Sequence, residues 1–587
     1  MLWKYGILAL LAPLVSARLP DGRLNGNMMP RPAIPIAPLP DKPVVVSRNG
    51  TVLPPYTTIY YFNQLIDHNN PNLGTFQQRF WFTYEYYEPG GPIILMTPGE
   101  SNANGYSGYL TNTTVNGLIA EQESGATIVI EHRFFGLSNP YPDLTVASLQ
   151  LLNIQQSVDD LVYFAENVNL PMPGGDQVTP KQAPWILIGG SYSGALTSWT
   201  MVNKPGVFWA GYSSSGVVQA ILDFWQYFEP VREGMPKNCS ADVEVVIAHV
   251  DDVLSGNDTK AINDIKANFG MSDVTHLDDV AGALRNNLWD WQSLQPSSGA
   301  GTVFFQFCDA LEVKDGKNAG PEGWGLDHAL SAWGAFWRNG YLQRICDDPS
   351  GTIEDCLGSY NVSQPFWTDT SIDNAGRSWN WFVCKEVGWL QNGAPADRPS
   401  LVSRLVPSTY DMRQCQQMFP AAFPKVPFAV DTNNTNTVYA GWNAKIDRIF
   451  YVNGQRKFRA SILTLTPQPP TCLRLVRKLG DPWRDATMSA EGLGNDSTPT
   501  ELINLGDGFH CSDLRASTAL YSAPIADIQK KALATFHTWV SEYKPTAAQG
   551  SAPSRPVASD TSNEGFVDPP TSTVGKKPIS AWQKGFF

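Results

Sequence analysis

Trp185-Ile-Leu-Ile-Gly-Gly-Ser-Tyr-Ser-Gly-Ala-Leu-Thr-Ser-Trp199 decides how this chain is read. The apolar run over 185–188 predicts a buried strand, and the residues after Gly194 predict a helix. Between them Gly189, Gly190, Ser191, Tyr192, Ser193 and Gly194 fit G-x-S-x-G, a nucleophile elbow with Ser191 at its apex. A sharp strand-to-helix turn strains the serine backbone and brings neighbouring main chain close, which is why glycine is needed on both sides. The turn lifts Oγ clear of the sheet. The helix N-terminus behind it favours developing negative charge, and the backbone N–H of Tyr192 is the expected oxyanion donor. A loop of small residues can match so loose a pattern by chance; the strand before it and the helix after it favour the elbow.

A serine hydroxyl is a poor nucleophile until a neighbouring base, oriented by a third group, takes its proton. After such an elbow the acid and then the histidine follow in chain order. Of the seven histidines, His68 and His132 precede Ser191, while His249, His276 and His328 fall in a region without strand–helix alternation. His537 lies inside the last predicted helix. His510 sits in Gly506-Asp507-Gly508-Phe509-His510, directly after the last apolar strand, where the base belongs. For the acid, Asp481 follows the preceding strand, whereas Asp447 and Asp485 read as solvated. Glu100, after the strand ending at 97, is a candidate anchor for a substrate terminus or a cap for its own turn. No His-x-x-x-His or clustered ligand set appears, so no metal or cofactor is expected.

The chain has 587 residues, 42% hydrophobic, and a formal net charge of −13. That length exceeds one ordinary core, and the acidic balance argues against nucleic acid as a partner. Residues 1–17 read as a signal peptide: Lys4, an apolar stretch to Val15, and a small-residue cleavage site. Residues 18–55 are rich in proline without periodicity and read as a mobile leader or pro-segment. Strand and helix then alternate over 56–225, a parallel-sheet pattern. Over 226–438 the rhythm is lost and cysteine and tryptophan accumulate, which predicts a mostly helical inserted cap. The sheet resumes over 439–545, and 546–587 read as a disordered tail with no membrane anchor. Sequons at Asn49, Asn112, Asn238, Asn257, Asn361, Asn433 and Asn495 agree with export, with an acidic compartment as a further possibility. Six of the eight cysteines lie between 239 and 415; Cys346 and Cys356 are the natural local pair, and Cys511 reads as buried or bridged.

Glu131-His132-Arg133-Phe134-Phe135-Gly136, the elbow, Asp481-Pro482-Trp483 and Gly508-Phe509-His510-Cys511-Ser512-Asp513-Leu514 together carry a resemblance. Over roughly residues 56–545 the chain resembles the serine peptidases that include lysosomal Pro-Xaa carboxypeptidase, dipeptidyl peptidase II and fungal prolyl endopeptidases. The resemblance implies an α/β-hydrolase fold with an inserted mostly helical cap domain, and cleavage on the carboxyl side of proline. It implies Ser191 as nucleophile, Asp481 as acid, His510 as base, and Trp483 at the proline pocket.

One departure stands out. Family members look like Asn-Gly-x-x-Asp-Pro-Trp, but here Asn453-Gly454 and Asp481 are separated by a run holding Arg456, Lys457, Arg459, Arg474, Arg477 and Lys478 with no acidic residue. Residues 457–480 read as a translated intron. Arg456-Lys457-Phe458 can be encoded with the splice donor GTAAGT and Leu479-Gly480 with the acceptor TAG, and excision restores Asn-Gly-Gln-Arg-Asp-Pro-Trp. The function expected is that of a secreted peptidase acting on proline-containing peptides, by endo-, carboxy- or dipeptidyl-type cleavage, with the oligomeric state open. The rivals are a secreted lipase or esterase on the same fold and a non-catalytic binding protein of hydrolase shape.

Overall fold

The computed structural model describes residues 22–42, 44–347, 351–454, 480–494 and 496–546. The signal peptide, the basic run up to 479, Asn495 and nearly all of the tail lie outside the described residues.

Eight strands form one sheet: β1 (Tyr60–Leu65), β2 (Thr75–Thr83), β3 (Ile93–Met96), β4 (Ala126–Ile130), β5 (Trp185–Gly190), β6 (Ala210–Ser214), β7 (Ile449–Gly454) and β8 (Glu501–Gly506). Their spatial order is β8-β7-β6-β5-β3-β4-β2-β1. The six strands from β8 to β4 run parallel; β2 and β1 are antiparallel at one edge. Every residue of β3, β4 and β5 is buried, as expected of central strands covered on both faces. The edge strand β1 instead alternates buried with more open positions. This is the α/β-hydrolase arrangement.

Helices cover both faces. The predicted helix over 148–168 forms as Ile154–Asn167, with a separate turn at Val146–Leu149. The break comes from Asn153, whose extended backbone and side-chain oxygen cap the Gln156 N–H and start the helix afresh. Its buried stripe is Ile154, Val158, Leu161 and Phe164. Helix Tyr192–Asn203 follows the elbow, and helix Ala523–Glu542 ends the described chain.

Between β6 and β7 the chain builds a cap from short helices, including Lys237–Ser255, Val303–Glu312, Leu326–Phe336, Ala375–Phe382 and Ser408–Met418. Three disulfides cross-link it: Cys239–Cys308, Cys346–Cys356 and Cys384–Cys415. Cys511 is free and buried. Among the described residues no helix is long and apolar enough to cross a membrane.

The leader departs from expectation. Residues 22–42 have no helix or strand of their own, yet they are not loose: Asn25, Asn27, Met28, Ile34 and Ala37 are buried. The lack of periodicity was compatible with a mobile coil. What fixes the segment is hydrogen bonding of its main chain by side chains far away in sequence, such as Arg285 and Asn286.

Candidate active site

Ser191 joins β5 to its helix with φ 59° and ψ −125°, a backbone strained for any residue with a side chain. The turn is possible because Gly189 leaves room for the Ser193 carbonyl, with which a Cβ would collide. The Ser191 N–H donates to the Ser214 carbonyl at the end of β6 (2.8 Å), and Ser193 Oγ donates to the Gly190 carbonyl (2.7 Å). Tyr192 is the first helical residue, so its N–H has no acceptor four residues back within the helix. Ser191 Oγ is buried and makes no hydrogen bond.

Two further loops meet the elbow. After β7 the Asp481 N–H donates to the Gly454 carbonyl (3.3 Å), and after β8 the His510 loop packs beside it. Gly454 is required there, because a Cβ would lie 2.5 Å from the Gly508 oxygen and 3.0 Å from Asp481 Cβ. His510 Nδ1 lies 2.9 Å from Asp481 Oδ1, which also accepts the Trp483 N–H (2.9 Å). A carboxylate only accepts, so the ring donates from Nδ1, and in the neutral ring Nε2 is the acceptor. That Nε2 is buried and without a hydrogen-bond partner. Burial alone would push the imidazole pKa down, but the Asp481 carboxylate and the Cys511 thiol carry it well above the usual histidine value.

The His510 loop is tied to the elbow through β6. Cys511 Sγ donates to the Ser214 carbonyl (3.6 Å), which also receives the Ser191 N–H, and the Cys511 N–H donates to Ser215 Oγ (3.0 Å). Below them Asp513 accepts from Ser214 Oγ and Tyr212 OH, both at 2.7 Å. Burial raises the Asp513 carboxyl to about 6, against those hydrogen bonds. Sequence reasoning quoted Asp513 within a motif but gave it no part. Its signal was an acidic residue three positions after the base.

Glu100 lies on the loop after β3, where Gly99 packs against the Tyr192 ring and Ser193. Neither of its carboxyl oxygens has a hydrogen-bond partner among the described residues. Burial raises its pKa to about 8. Trp483 is 1% exposed and packs among Phe224, Tyr227 and Trp389 at ring-centroid distances of 5.3–5.8 Å, with His510 at 6.2 Å. Its indole N–H donates to Gln292 Oε1 (2.6 Å). No local pattern marked Phe224, Tyr227, Trp389 or Gln292, because three separate cap segments supply them.

The other residues singled out by sequence support the site or stand apart from it. His132 Nε2 lies 3.0 Å from Tyr192 OH, and burial lowers its pKa to about 4, so the neutral ring packs behind the elbow. His68 and Arg133 both pair with buried Asp160. His249 lies within helix Lys237–Ser255, His276 immediately precedes the short helix Leu277–Ala283 without a side-chain cap bond, His328 is in Leu326–Phe336, and His537 is in the last helix. Asp447 pairs with Arg448 and is open to solvent, but Asp485 is buried against Arg484, contrary to the solvated reading. Of the sequon asparagines, Asn49, Asn257, Asn361 and Asn433 are exposed, and Asn112 and Asn238 are partly covered.

Comparison with known proteins identifies the family of the chain. The family model described as "Serine carboxypeptidase S28" matches residues 64–283 and 354–456, which include Ser191 and stop short of Asp481. "Serine protease vicPa" of Bipolaris victoriae is 34% identical over 82% of this chain and 88% of its own. "Serine protease vicPb" of the same fungus is 31% identical over 86% of this chain and 92% of its own. A third relative, named "Probable extracellular serine carboxypeptidase", from Arthroderma benhamiae, is 29% identical over 74% of this chain and 59% of its own. With more than half its length matched by one family model, this chain belongs to the serine carboxypeptidase S28 family and is a serine peptidase.

Proposed function

We propose that the protein is a secreted serine peptidase that hydrolyses peptide bonds on the carboxyl side of proline through Ser191, His510 and Asp481. The observation that carries the triad is the Nδ1–Oδ1 contact of 2.9 Å in a buried pair whose loop is tied to the elbow through Cys511 and the Ser214 carbonyl, with the Ser191 hydroxyl buried and unpartnered. In this reading His510 Nε2 takes the Ser191 proton as Oγ attacks the carbonyl after proline. Asp481 holds the resulting imidazolium, and the Tyr192 N–H receives the oxyanion. The protonated imidazole then gives its proton to the leaving amine, and water releases the acyl group by the same route.

Proline specificity is supported by the aromatic cluster of Trp483, Tyr227 and Trp389 next to His510, whose flat faces suit an apolar pyrrolidine ring better than an extended side chain. Glu100, whose carboxyl oxygens are unpartnered among the described residues, is the group proposed to meet a substrate terminus. As a neutral carboxyl below about pH 8 it would donate a hydrogen bond rather than form an ion pair. Export is supported by the signal-like N-terminus, the exposed sequons and the extracellular relative. A cleavage-site profile on a peptide library tests the reading: cuts should cluster after proline, and the cut positions would fix the endo- or exo-mode. Preferential turnover of p-nitrophenyl esters, with no peptide cut, would favour the esterase alternative.

A further inference from the structure

Residues 22–42 run as a strap from the cap to the catalytic sheet past the candidate site, turning at Asn25–Met28 and forming no helix or strand. The first part is fastened to the cap. Asn27 Nδ2 donates to the Leu357 carbonyl (2.6 Å) and the Asp279 carbonyl (2.9 Å), and the Asn27 carbonyl accepts from the Arg285 guanidinium (3.1 Å). The last part lies on the catalytic sheet, where Tyr109 OH donates to the Pro35 carbonyl (2.7 Å) and Thr113 Oγ1 to the Pro38 carbonyl (3.1 Å).

Between these anchors the strap passes along the candidate site. The Arg31 guanidinium donates to the Glu100 carbonyl, and the Arg31 carbonyl accepts from Gln292 Nε2 (3.2 Å). That same Gln292 holds the Trp483 indole. Ile34 is buried, its Cγ2 2.8 Å from the point where a Cβ on Gly190 would stand. One segment therefore touches the loop of Glu100, the partner of Trp483 and the residue before the nucleophile. Ser191, Glu100 and Asp481 are all 0% exposed.

The chemistry of the strap matches a peptide ligand. Pro30, Pro32 and Pro35 hold φ near an extended value and remove amide donors, so this stretch offers mainly carbonyl acceptors. The surrounding donors meet those acceptors, as Gln292 and Tyr109 do. Nothing in this pairing depends on the strap being covalently part of the chain.

We propose that the groove between cap and catalytic sheet is a docking site for extended proline-rich peptide, and that residues 22–42 are its resident occupant, closing Ser191 until displaced. The inference rests on the reading of Ser191 as nucleophile, and its test separates the two. A protease site inserted between the exposed Leu39 and Asp41 allows the strap to be cut after the protein has folded. Reaction of Ser191 with a fluorophosphonate and turnover of a proline-containing chromogenic peptide are then measured before and after cutting and washing.

Both rates should rise at least tenfold on release, and a synthetic peptide of residues 22–42 should restore the block competitively. Arg31→Ala with Ile34→Gly in the uncut chain should raise both rates without any cut. Equal rates in the intact, cut and doubly substituted proteins would overturn the proposal, as would failure of the synthetic peptide to bind the cut protein. If no form is labelled but a fluorescent copy of the peptide binds the cut protein saturably and is competed by proline-rich peptides, the docking site stands and the nucleophile assignment fails.

Discussion

The catalytic part and the cap of this molecule are held together by different means. Around the sheet, order comes from continuous parallel pairing and from buried ion pairs, Arg79 with Glu131 and Arg133 with Asp160. Among the described residues that part contains no disulfide. The cap is made of short helices around tryptophan rings, and all three disulfides lie in it. A reacting group must be placed to a fraction of an ångström, and strand ends fixed by neighbouring strands provide that. A cover over a cleft needs only to stay assembled, which covalent links between short elements achieve.

The largest effect should come from the sheet side. Asp481→Asn keeps the shape but removes the charge that orients and raises His510, and turnover should fall by about 10⁴-fold. The pH dependence has a definite sign. With His510 held above its ordinary value, the neutral base accumulates only as pH rises through that raised value, so activity climbs above the usual histidine range. Without the Asp481 carboxylate, burial acts with less opposition and the rising limb should shift to lower pH. A limb that stays put in a pH–rate profile of the variant would break the proposed pairing.

The cap side should respond in stability rather than chemistry. Replacing Cys239 and Cys308 by serine opens a link across 69 residues and should cost about 3–4 kcal/mol in thermal or denaturant unfolding. Ser191 labelling at 25 °C should change by no more than about twofold, since the elbow hangs from β5 and β6. A folded variant that no longer labels would show that the cap, too, places the nucleophile.

Glu100 sharpens the contrast with Asp481, for both are fully buried carboxyls in one site and only Asp481 has a cationic partner within hydrogen-bond reach. The unfolded chain releases the Glu100 proton near 4.5 and the folded chain near 8, so stability should fall as pH rises across that window. Glu100→Gln should flatten that fall and stabilise the protein at pH 8 by a few kcal/mol in unfolding experiments. No change in the slope would mean that the charges of Arg31 and His510 offset the burial of Glu100.

Much of this was legible in the chain because the elbow, the last strand and the His510 loop are local patterns: an apolar run, glycines at fixed offsets, a histidine after a strand. The aromatic walls around Trp483 were not, since Phe224, Tyr227 and Trp389 come together only through tertiary packing. Nor was the buried leader, whose main-chain bonds are made by Arg285, Asn286 and Tyr109, hundreds or tens of residues away. Burial of Asp485 likewise depends on its adjacent Arg484 turning inward with it.

The smallest effect concerns the basic run. Gly454 and Asp481 flank it and are hydrogen-bonded to each other, so the loop is already closed where the run would leave. Deleting 457–480 should leave melting temperature and Ser191 labelling essentially unchanged, and sequencing of cloned transcript should lack the stretch. Recovery of its peptides from the mature protein would refute the retained-intron reading.

The central claim is that one buried hydroxyl becomes a nucleophile. Fluorophosphonate labelling followed by peptide mapping, alongside the hydrolysis rate of Ser191→Ala on proline-containing peptides, tests it directly. The account predicts a single modified serine at 191 and a variant slowed by at least about 10³-fold. Label on another residue, or hydrolysis undiminished in the variant, would contradict it.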